Sequence, residues 1–528
     1  MKKNFIALIS IASILLCGCN IIPKKSNSAS SGGGSSGTNT NSNTISSSGS
    51  KTGTVNIEIY ATNDIHGQVV QSSTCPGIGK LGTFLKQRKS ESNTLLFDQG
   101  DAWQGSIYSN LNHGALITDI MNYVHYDARC IGNHDFDWGV DALKKNTVRE
   151  YNGYATPVLA GNIYDYNFDT KTTGTVQQSD IGVKSVTFNV GDLKIGVLGG
   201  IGQDQITSIN SLFTKDIAFK DHIPFIKEEA TYLREQENCD IVIGSIHTGQ
   251  DSLIGNGLNN YVDLFLCGHT HVQETYKEGN TYYVQSKGYE QSFSHITLTY
   301  NYQTKSISKT KVSFLLPLDI TTNVDTIDPE IQGILNTYNV DTLANTVYAN
   351  NVEGYYDRYE GTSNLMSKAI LDKTLASGYN DVAFALINDA RAGLPYGTSW
   401  TYADIFQSFP FDNAVYIATV KGRELQKMLS YNGMHICRNP SFTNNTLSLD
   451  GDYKIAVLDY VYFHTNVERY YDYFHITGGT STTTLSNHYR DILINWLTSN
   501  NYDKNQPLTD SVFFNSNWNH NKSAFSFE

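Results

Sequence analysis

Five short polar sites rich in Asp, Asn and His each follow directly on an apolar segment of strand length. These apolar segments alternate with segments of helical period, which is typical of an α/β domain. In open α/β sheets the side chains that carry chemistry lie at the carboxyl ends of the strands. The five sites are Asn63-Asp64-Ile65-His66-Gly67, Gly100-Asp101, Gly132-Asn133-His134, His247 and Gly268-His269-Thr270-His271.

The pattern predicts a first α/β domain and a second domain from about residue 346. In the first domain, strands are predicted at residues 56–61, 94–97, 128–131, 194–198, 240–246 and 262–267, and helices at 80–88 and 115–123. In the second domain, the pattern predicts a helix at residues 364–375 and strands at 382–387, 415–419 and 453–458.

The side chains of the polar sites are all of metal-ligand type. Carboxylate, amide and imidazole groups suit hard or borderline divalent ions such as Mn, Zn, Co or Fe(II). Such a set exceeds the needs of one tetrahedral ion, so we predict two ions that share one carboxylate, with Asp101 as the candidate bridge. Two ions about 3.5 to 4 Å apart can hold a hydroxide and clamp a phosphoryl group. The candidate ligands are Asp64, His66, Asp101, Asn133, His247, His269 and His271.

The first residues have the pattern of a secretory signal peptide. Lys2 and Lys3 precede an apolar run that is too short to span a bilayer comfortably. The run ends in Leu16-Cys17-Gly18-Cys19, which resembles a bacterial lipobox and implies lipidation of Cys19. We therefore expect a lipoprotein signal peptide and lipobox at residues 1–19 and an extracytoplasmic, membrane-anchored protein.

Residues 20–53 are almost only Ser, Gly, Asn, Thr and Lys, so they are predicted to form a flexible tether. Across the chain, 51 acidic residues against 38 basic ones give a net charge of −13. No nucleic-acid binding is expected at this charge. Apolar residues make up 40% of the chain, which is enough for packed cores and argues against global disorder.

The polar sites and their neighbours resemble the bacterial 5′-nucleotidase family, which belongs to the calcineurin-like metallophosphoesterases. The resemblance extends over residues 55–528 and implies an α/β protein with three parts. These are a four-layer αββα metallophosphoesterase sandwich at 54–318, a connecting helical linker at 319–345, and a C-terminal α/β nucleotide-binding domain at 346–528. The motifs that carry it are Asn63 to Gly67, Gly100 to Ser106, Gly132 to Asp137 and Gly268 to His271.

The resemblance also assigns roles by position in the first domain. One metal ion would be held by Asp64, His66, Asp101 and His271, and the other by Asp101, Asn133, His247 and His269. His134, oriented by Asp137, would sit beside the phosphate and donate to a developing oxyanion or leaving group. Asp135 stands where the family usually has Glu, and no role is assigned to it.

In the second domain the resemblance implies substrate binding by Arg358, Asn388, Arg391 and Phe411. Guanidinium groups can meet phosphate or ribose oxygens in fork geometry. An aromatic face contributes about 1 to 3 kcal/mol of stacking on a base. The family's glycine turn after Asp459-Tyr460 is absent, so the second stacking aromatic stays open among Tyr471, Tyr473 and Phe474.

We expect a surface-anchored dimetal phosphohydrolase that releases phosphate from nucleoside 5′-monophosphates or related nucleotides through attack by a metal-bound hydroxide. A 2′,3′-cyclic-nucleotide phosphodiesterase or a nucleotide-sugar hydrolase is the alternative within the enzyme class. A non-catalytic binding or adhesion lipoprotein is disfavoured, because binding alone gives no reason to keep the metal ligands in register with His134. Base preference and oligomeric state stay open.

The Cys19→Ser substitution is expected to release the protein from the membrane fraction or to stall it unprocessed. The reason is that stable anchoring takes more than one acyl chain and only Cys19 stands at the lipobox position. Fractionation and mass analysis of the N-terminus measure this. Cys17→Ser is the matched control and should behave as the parent does. Recovery of mature, acylated Cys19→Ser protein from membranes would contradict the lipobox.

Overall fold

The structure is a computed structural model that describes residues 52–167, 170, 172–350, 356–463, 483–500 and 520–528. Cys19 and most of the predicted tether lie outside the described residues. The aromatic candidates Tyr471, Tyr473 and Phe474 also lie outside them. In the described ranges, no helix has the length and apolar composition that a membrane crossing requires.

The first part of the described chain contains strands β1 to β15 and helices α1 to α5. The strands are β1 (Thr54–Thr62), β2 (Thr94–Asp98), β3 (Ala128–Cys130), β4 (Val158–Leu159), β5 (Ile163–Asn167), β6 (Thr172–Gln177), β7 (Ser185–Val190), β8 (Leu193–Ile201), β9 (Ile217–Phe219), β10 (Ile241–His247), β11 (Leu264–Cys267), β12 (Glu274–Glu278), β13 (Thr281–Gln285), β14 (Phe293–Asn301) and β15 (Ser306–Leu315). The helices are α1 (Ile78–Lys89), α2 (Ile107–Asn110), α3 (Ala115–Val124), α4 (Gly139–Thr147) and α5 (His222–Glu235).

Two six-stranded sheets form the centre of this domain, in the orders β15-β14-β1-β2-β3-β4 and β12-β13-β11-β10-β8-β7. Strands β1, β2 and β3 run parallel to one another, as do β8, β10, β11 and β13. Every residue of β2 and β10 is buried, because parallel strands in such domains are covered on both faces. The carboxyl ends of β1, β2 and β3 therefore share one edge of their sheet.

The apolar side chains sort the domain into four layers. Phe97 of the first sheet and Ile243 of the second belong to one buried cluster between the sheets. Helices α1 and α3 cover the outer face of the first sheet, and α5 covers that of the second. The predicted four-layer αββα sandwich is thereby confirmed.

Three short helices connect the two parts of the chain: α6 (Pro317–Thr321), α7 (Pro329–Thr337) and α8 (Asp341–Ala344). Helix α7 begins where the Asp328 side chain caps it and Pro329 fixes the first turn. Its apolar residues Ile331 and Ile334 join the cluster formed by α1 and α3. The connecting segment therefore adds a helix to the outer layer of the first domain.

The second part contains strands β16 (Val347–Ala349), β17 (Phe384–Asn388), β18 (Trp400–Thr401), β19 (Val415–Lys421), β20 (Met434–Arg438), β21 (Thr446–Leu447), β22 (Asp452–Leu458), β23 (Thr483–Ser486) and β24 (Ser526–Phe527). Its helices are α9 (Ser363–Ala376), α10 (Tyr402–Ser408), α11 (Gly422–Ser430), α12 (Asp459–Tyr462) and α13 (Tyr489–Ser499). A five-stranded mixed sheet, β20-β17-β22-β19-β23, forms its core with α9 and α13. This part is therefore a second α/β domain.

The two domains contact each other through α2 and α10. Ile107 of α2 and Phe406 of α10 belong to one buried cluster, which includes Ala344 of α8. Nearby, Asn110 Nδ2 donates a hydrogen bond of 2.9 Å to the backbone oxygen of Pro410. These contacts hold the residue after Pro410, Phe411, against the edge of the first domain that carries the polar sites.

Candidate functional site

The predicted metal ligands converge at the carboxyl ends of β1, β2, β3, β10 and β11. They form two groups, and the ligand atoms of each lie within 4.8 Å of one another. The first group is Asp64, His66 and His271, and the second group is Asp101, His247 and His269. Asn133 joins the second group, since its Oδ1 lies 3.1 Å from His247 Nε2 and 3.0 Å from His269 Nδ1.

Asp101 lies between the two groups. Its Oδ2 is 3.3 Å from His247 Nε2 in the second group and 3.9 Å from His66 Nε2 in the first. Its Oδ1 accepts a hydrogen bond of 2.7 Å from the backbone N–H of His134. This is the position that a carboxylate shared by two ions requires.

Backbone carbonyl groups fix the orientation of two imidazoles. His66 Nδ1 lies 2.8 Å from Gln104 O, and His247 Nδ1 lies 2.7 Å from Gln99 O. Because a carbonyl can only accept, each Nδ1 donates and each Nε2 faces the ligand groups. His66 Nε2 lies 3.1 Å from His271 Nε2. The ring nitrogens of the two histidines therefore face the same point, as two ligands of one ion would.

The buried carboxylates of the two groups are stabilised by positive charge. Burial would raise the pKa of Asp64, but the hydrogen bond to His271 and the charge of His247 lower it to about 2. Burial lowers the pKa of His247, yet Asp101 raises it to about 10. A proton on His247 thus balances the carboxylate, and a metal ion would replace that proton.

Two imidazoles are held in the neutral form that binds metal. Burial, with the nearby charge of His247, lowers the pKa of His269 to about 4. Burial and the Arg391 guanidinium hold the pKa of His66 well below its usual value. Ionised carboxylates and neutral imidazoles that face one another at these distances fit hard or borderline divalent ions. The donor set therefore fits the predicted metals.

Most of the ligands have a left-handed backbone, which is strained for residues other than glycine. The φ angles are 50° for Asp64 and His66, 55° for Asp101, 79° for His269 and 60° for His271. Each such residue costs on the order of 1 to 3 kcal/mol and persists only where its surroundings hold it. Here Asp64 Oδ2 accepts from the backbone N–H of His269 at 2.9 Å, so one ligand's side chain fixes another ligand's backbone.

Two motif glycines are required by close approach to the ligands. A Cβ on Gly132 would stand 2.2 Å from Asp101 Oδ1. A Cβ on Gly105 would stand 2.3 Å from the backbone oxygen of His66, and Gly105 also has a φ of 154°. Any side chain at either position would displace a ligand.

Asp135, to which the sequence assigned no role, supports the turn that carries Asn133. Its Oδ2 accepts from Gly132 N at 2.9 Å and from Arg129 Nη2 at 3.0 Å. Arg129 is 2% exposed and lies over the ring of Trp103 at 3.9 Å. Breaking a buried pair of this kind typically costs about 3 to 5 kcal/mol. The sequence pattern did not indicate a role for Arg129, because this residue lies inside a strand and before the polar site.

His134 lies beside the second group with its ring fixed. Its Nδ1 is 2.9 Å from Asp137 Oδ2, and both side chains are almost buried. Burial lowers the pKa of His134, but the charges of Asp137 and Asp101 raise it above the usual value. The ring can therefore donate a hydrogen bond toward the cavity in front of it.

A cavity of about 330 Å³ joins the second ligand group, through Asn133 and His269, to the second domain. All four predicted substrate residues line it, and so do His134 and Asp137. Arg391 Nη2 donates to His66 Nε2 at 3.0 Å, and the Phe411 ring stacks on His134 with centroids 5.6 Å apart. Arg358 Nε donates to Ala390 O at 2.7 Å, and Asn388 ends β17.

A metal ion at His66 and the Arg391 guanidinium would use the same lone pair. Metal binding at the first group would therefore free Arg391 to turn toward the cavity. Tyr289 flanks this pair, since its ring stacks on His66 with centroids 4.9 Å apart and lies 5.8 Å from the Arg391 guanidinium carbon. No sequence pattern indicated that Tyr289 belongs to the site, because it lies in none of the five polar sites.

Arg490 of α13 holds the loop that presents Phe411. Its Nη1 donates to the backbone oxygens of Phe409, at 2.8 Å, and of Phe411. Its guanidinium also pairs with Asp412 and lies over the Phe406 ring at 4.1 Å. About 80 residues separate Arg490 from this loop, so no local sequence pattern could have indicated its role.

Two ligand groups lie at strand ends of a four-layer sandwich, and the second domain contributes to the cavity beside them. This is the arrangement that the motifs predicted for a metallophosphoesterase. Comparison with known families gives the finer assignment. Residues 57–273 match the calcineurin-like phosphoesterase family, and residues 340–466 match the 5′-nucleotidase C-terminal domain. The chain therefore combines a domain that matches the calcineurin-like phosphoesterases with one that matches the 5′-nucleotidase C-terminal domain, as the motifs predicted.

Curated relatives align with part of the chain. The apyrase of Tabanus yao is 32% identical over 219 residues, which cover 40% of this chain and 36% of the relative. The 5′-nucleotidase of Homo sapiens is 31% identical over 234 residues, or 41% of this chain and 38% of the relative. The chain thus spans well under half the length of these relatives.

A solved structure extends the likeness across both domains. The 5′-nucleotidase precursor from Thermus thermophilus aligns with a TM-score of 0.65 and 17% identity. The alignment covers 84% of this chain and 97% of that one. At this identity the likeness concerns the fold.

Asp101→Asn is expected to lower both bound metal and phosphate release by more than about 100-fold, because one charge between the two groups is lost. Metal analysis of the purified variant and a phosphate assay measure the two effects. Asp251→Asn, which alters a carboxylate outside both groups, is the control and should match the parent. Parent-like metal content and activity in Asp101→Asn would rule out a shared carboxylate.

His134→Ala is expected to slow turnover by about 10² to 10⁴ while metal content stays near that of the parent. The reason is that His134 faces the cavity, whereas its neighbour Asn133 faces the second group. Asn133→Ala is the contrasting variant and should lose metal. Metal loss in His134→Ala as large as that in Asn133→Ala would mean that His134 itself holds metal.

Proposed function

We propose that this protein is a phosphohydrolase that uses two metal ions to release phosphate from nucleoside 5′-monophosphates or related nucleotides. The observation that carries the proposal is the convergence of two kinds of group on one cavity. One side offers His134 and the second metal-ligand group, which lies beside the first group across Asp101. The other side offers guanidinium groups and an aromatic ring from the second domain.

The division of the cavity suggests how the substrate lies. Two divalent ions bound at the ligand groups would supply the charge that polarises the phosphoryl oxygens and activates water. His134, held by Asp137, would donate a hydrogen bond to the phosphoryl or leaving oxygen as negative charge develops there. Arg391 and Arg358 would bind the remaining phosphate or ribose oxygens.

The nucleoside would extend from the ligand groups into the second domain. The cavity volume of about 330 Å³ is at the lower end of the range for small-molecule sites, about 300 to 1,000 Å³. Phe411 offers the apolar surface on which a base can stack. The similarity to a 5′-nucleotidase and an apyrase supports a nucleotide as the substrate class.

We also propose that the enzyme works outside the cytoplasm, anchored to a membrane through acylated Cys19. The support is the lipobox-like sequence and the Ser-rich and Asn-rich segment that follows it. A flexible tether of this composition would let both domains move freely near the membrane surface.

Phe411→Ala is expected to lower kcat/KM for nucleoside monophosphates by about 5- to 150-fold, the effect of losing a base stack. Hydrolysis of a small chromogenic phosphate ester should stay unchanged, because such an ester has no base to stack. Tyr396→Ala removes an exposed aromatic side chain of the same domain, 68% exposed, and serves as control.

The small ester also separates two roles for Phe411, which contacts His134. If the ring acts only through the nucleoside, the loss is confined to nucleotides. Equal losses on the two substrates would mean that Phe411 positions His134 and would remove this support for a nucleotide site.

A further inference from the structure

One carboxylate in the cavity has no part in metal or phosphate binding as described above. Asp389 directly follows β17 and lines the cavity. Strand β17 pairs antiparallel with β20, where Asn388 faces Met434 and Ile387 faces His435. This register places Asp389 beside the turn of residues 431–433.

One oxygen of the Asp389 carboxylate, Oδ1, is paired with a histidine, and the other, Oδ2, is left to accept further hydrogen bonds. Its Oδ1 lies 2.7 Å from His435 Nε2, and the two side chains are 25% and 11% exposed. In the described part of the chain, no residue donates a hydrogen bond to Oδ2. A Cβ on Gly433 would stand 3.2 Å from Oδ2 and 2.8 Å from the Tyr431 ring. Glycine therefore leaves space in which this oxygen and the ring lie together.

The turn that forms this wall is fixed from behind by the end of the chain. Lys522 Nζ donates to the backbone oxygens of Tyr431, at 2.6 Å, and of Asn432 and Met434, both at 3.1 Å. Three carbonyl groups on one ammonium hold the backbone of the turn in one conformation. The Asp389 carboxylate therefore meets a preorganised surface.

The charge of Asp389 indicates which part of a substrate it can contact. A carboxylate repels phosphate, so it must face a part of the substrate that carries N–H or O–H donors. Arg391 stands two residues further along the same loop and reaches His66 of the first group. The loop thus presents a cation to the phosphate end of the cavity and an anion elsewhere.

We propose that Asp389, positioned by His435, selects the substrate by accepting hydrogen bonds from the nucleoside. This inference rests on the proposed nucleotide activity. The donors that a nucleoside offers are its sugar hydroxyls and, on the base, an exocyclic amine or a ring N–H. Sugar and base donors can form the same kind of hydrogen bond to a carboxylate. Substrates that differ in only one of these donors distinguish them.

The experiment compares kcat/KM for four substrates in the parent and in Asp389→Asn. AMP and IMP differ in the exocyclic amine, AMP and its 2′,3′-dideoxy form differ in the sugar hydroxyls, and 4-nitrophenyl phosphate lacks a nucleoside. The parent should discriminate between AMP and IMP, or prefer AMP over the dideoxy form, by about 10- to 100-fold, the typical range for a charged hydrogen bond. Asp389→Asn should remove most of that preference, and the pair that changes identifies the donor.

The controls separate recognition from folding. Asp381→Asn alters a carboxylate of the same domain that pairs with Lys454 and lies outside the cavity lining. This variant should keep the parent's preference. His435→Ala should lose part of the preference, and His435→Gln, which retains a donor, should restore it. Thermal melting checks that each variant is folded.

Three results would overturn the inference. If the ratios of kcat/KM between substrates in Asp389→Asn equal those of the parent, Asp389 does not contact the nucleoside. An equal fall on 4-nitrophenyl phosphate would show that it acts on the reaction itself. A parent that hydrolyses 4-nitrophenyl phosphate but no nucleotide would refute the proposed function, and this inference with it.

Discussion

Two carboxylates and several imidazoles share a buried space in which their lone pairs face one another, and the rest of the structure follows from the need to hold them there. Asp64 and Asp101 are 0% and 1% exposed. Ionised groups taken out of water need compensating charge. Part of this charge comes from the proton on His247, and divalent ions at the two groups would supply it in full. The guanidinium of Arg391 adds a cation from the second domain.

The ligand residues are held in place with a strained backbone, and the surrounding sheets stabilise that conformation. Asp64, Asp101 and His271 are among the ligands with left-handed backbones. The strands that precede these residues are hydrogen-bonded to a neighbouring strand on each side, so the chain has little freedom to relax. The buried pair of Arg129 with Asp135 adds support beneath Asn133. Strain at a site that is held by its scaffold is typical of preorganised active sites.

The sequence predicted the parts of the molecule whose signals are local. Short apolar runs indicated β2 and β10, and Asp101 and His269 stood out because polar residues directly follow strands. Contacts between distant segments left no such signal. Arg490, Tyr289 and Asp389 act through residues that only the tertiary fold brings near them. The second stacking aromatic, predicted among Tyr471, Tyr473 and Phe474, lies outside the described residues and stays a prediction.

The most direct test of this account is a metal titration of the chelator-treated parent, with bound Mn²⁺ or Zn²⁺ per chain and phosphate release from AMP measured on the same samples. We predict that two ions bind per chain and that activity returns only as the second is bound, because Asp101 lies between the two groups and both ions would act on one phosphoryl group. Full activity after chelation, or full activity with a single ion bound, would contradict a two-ion phosphohydrolase.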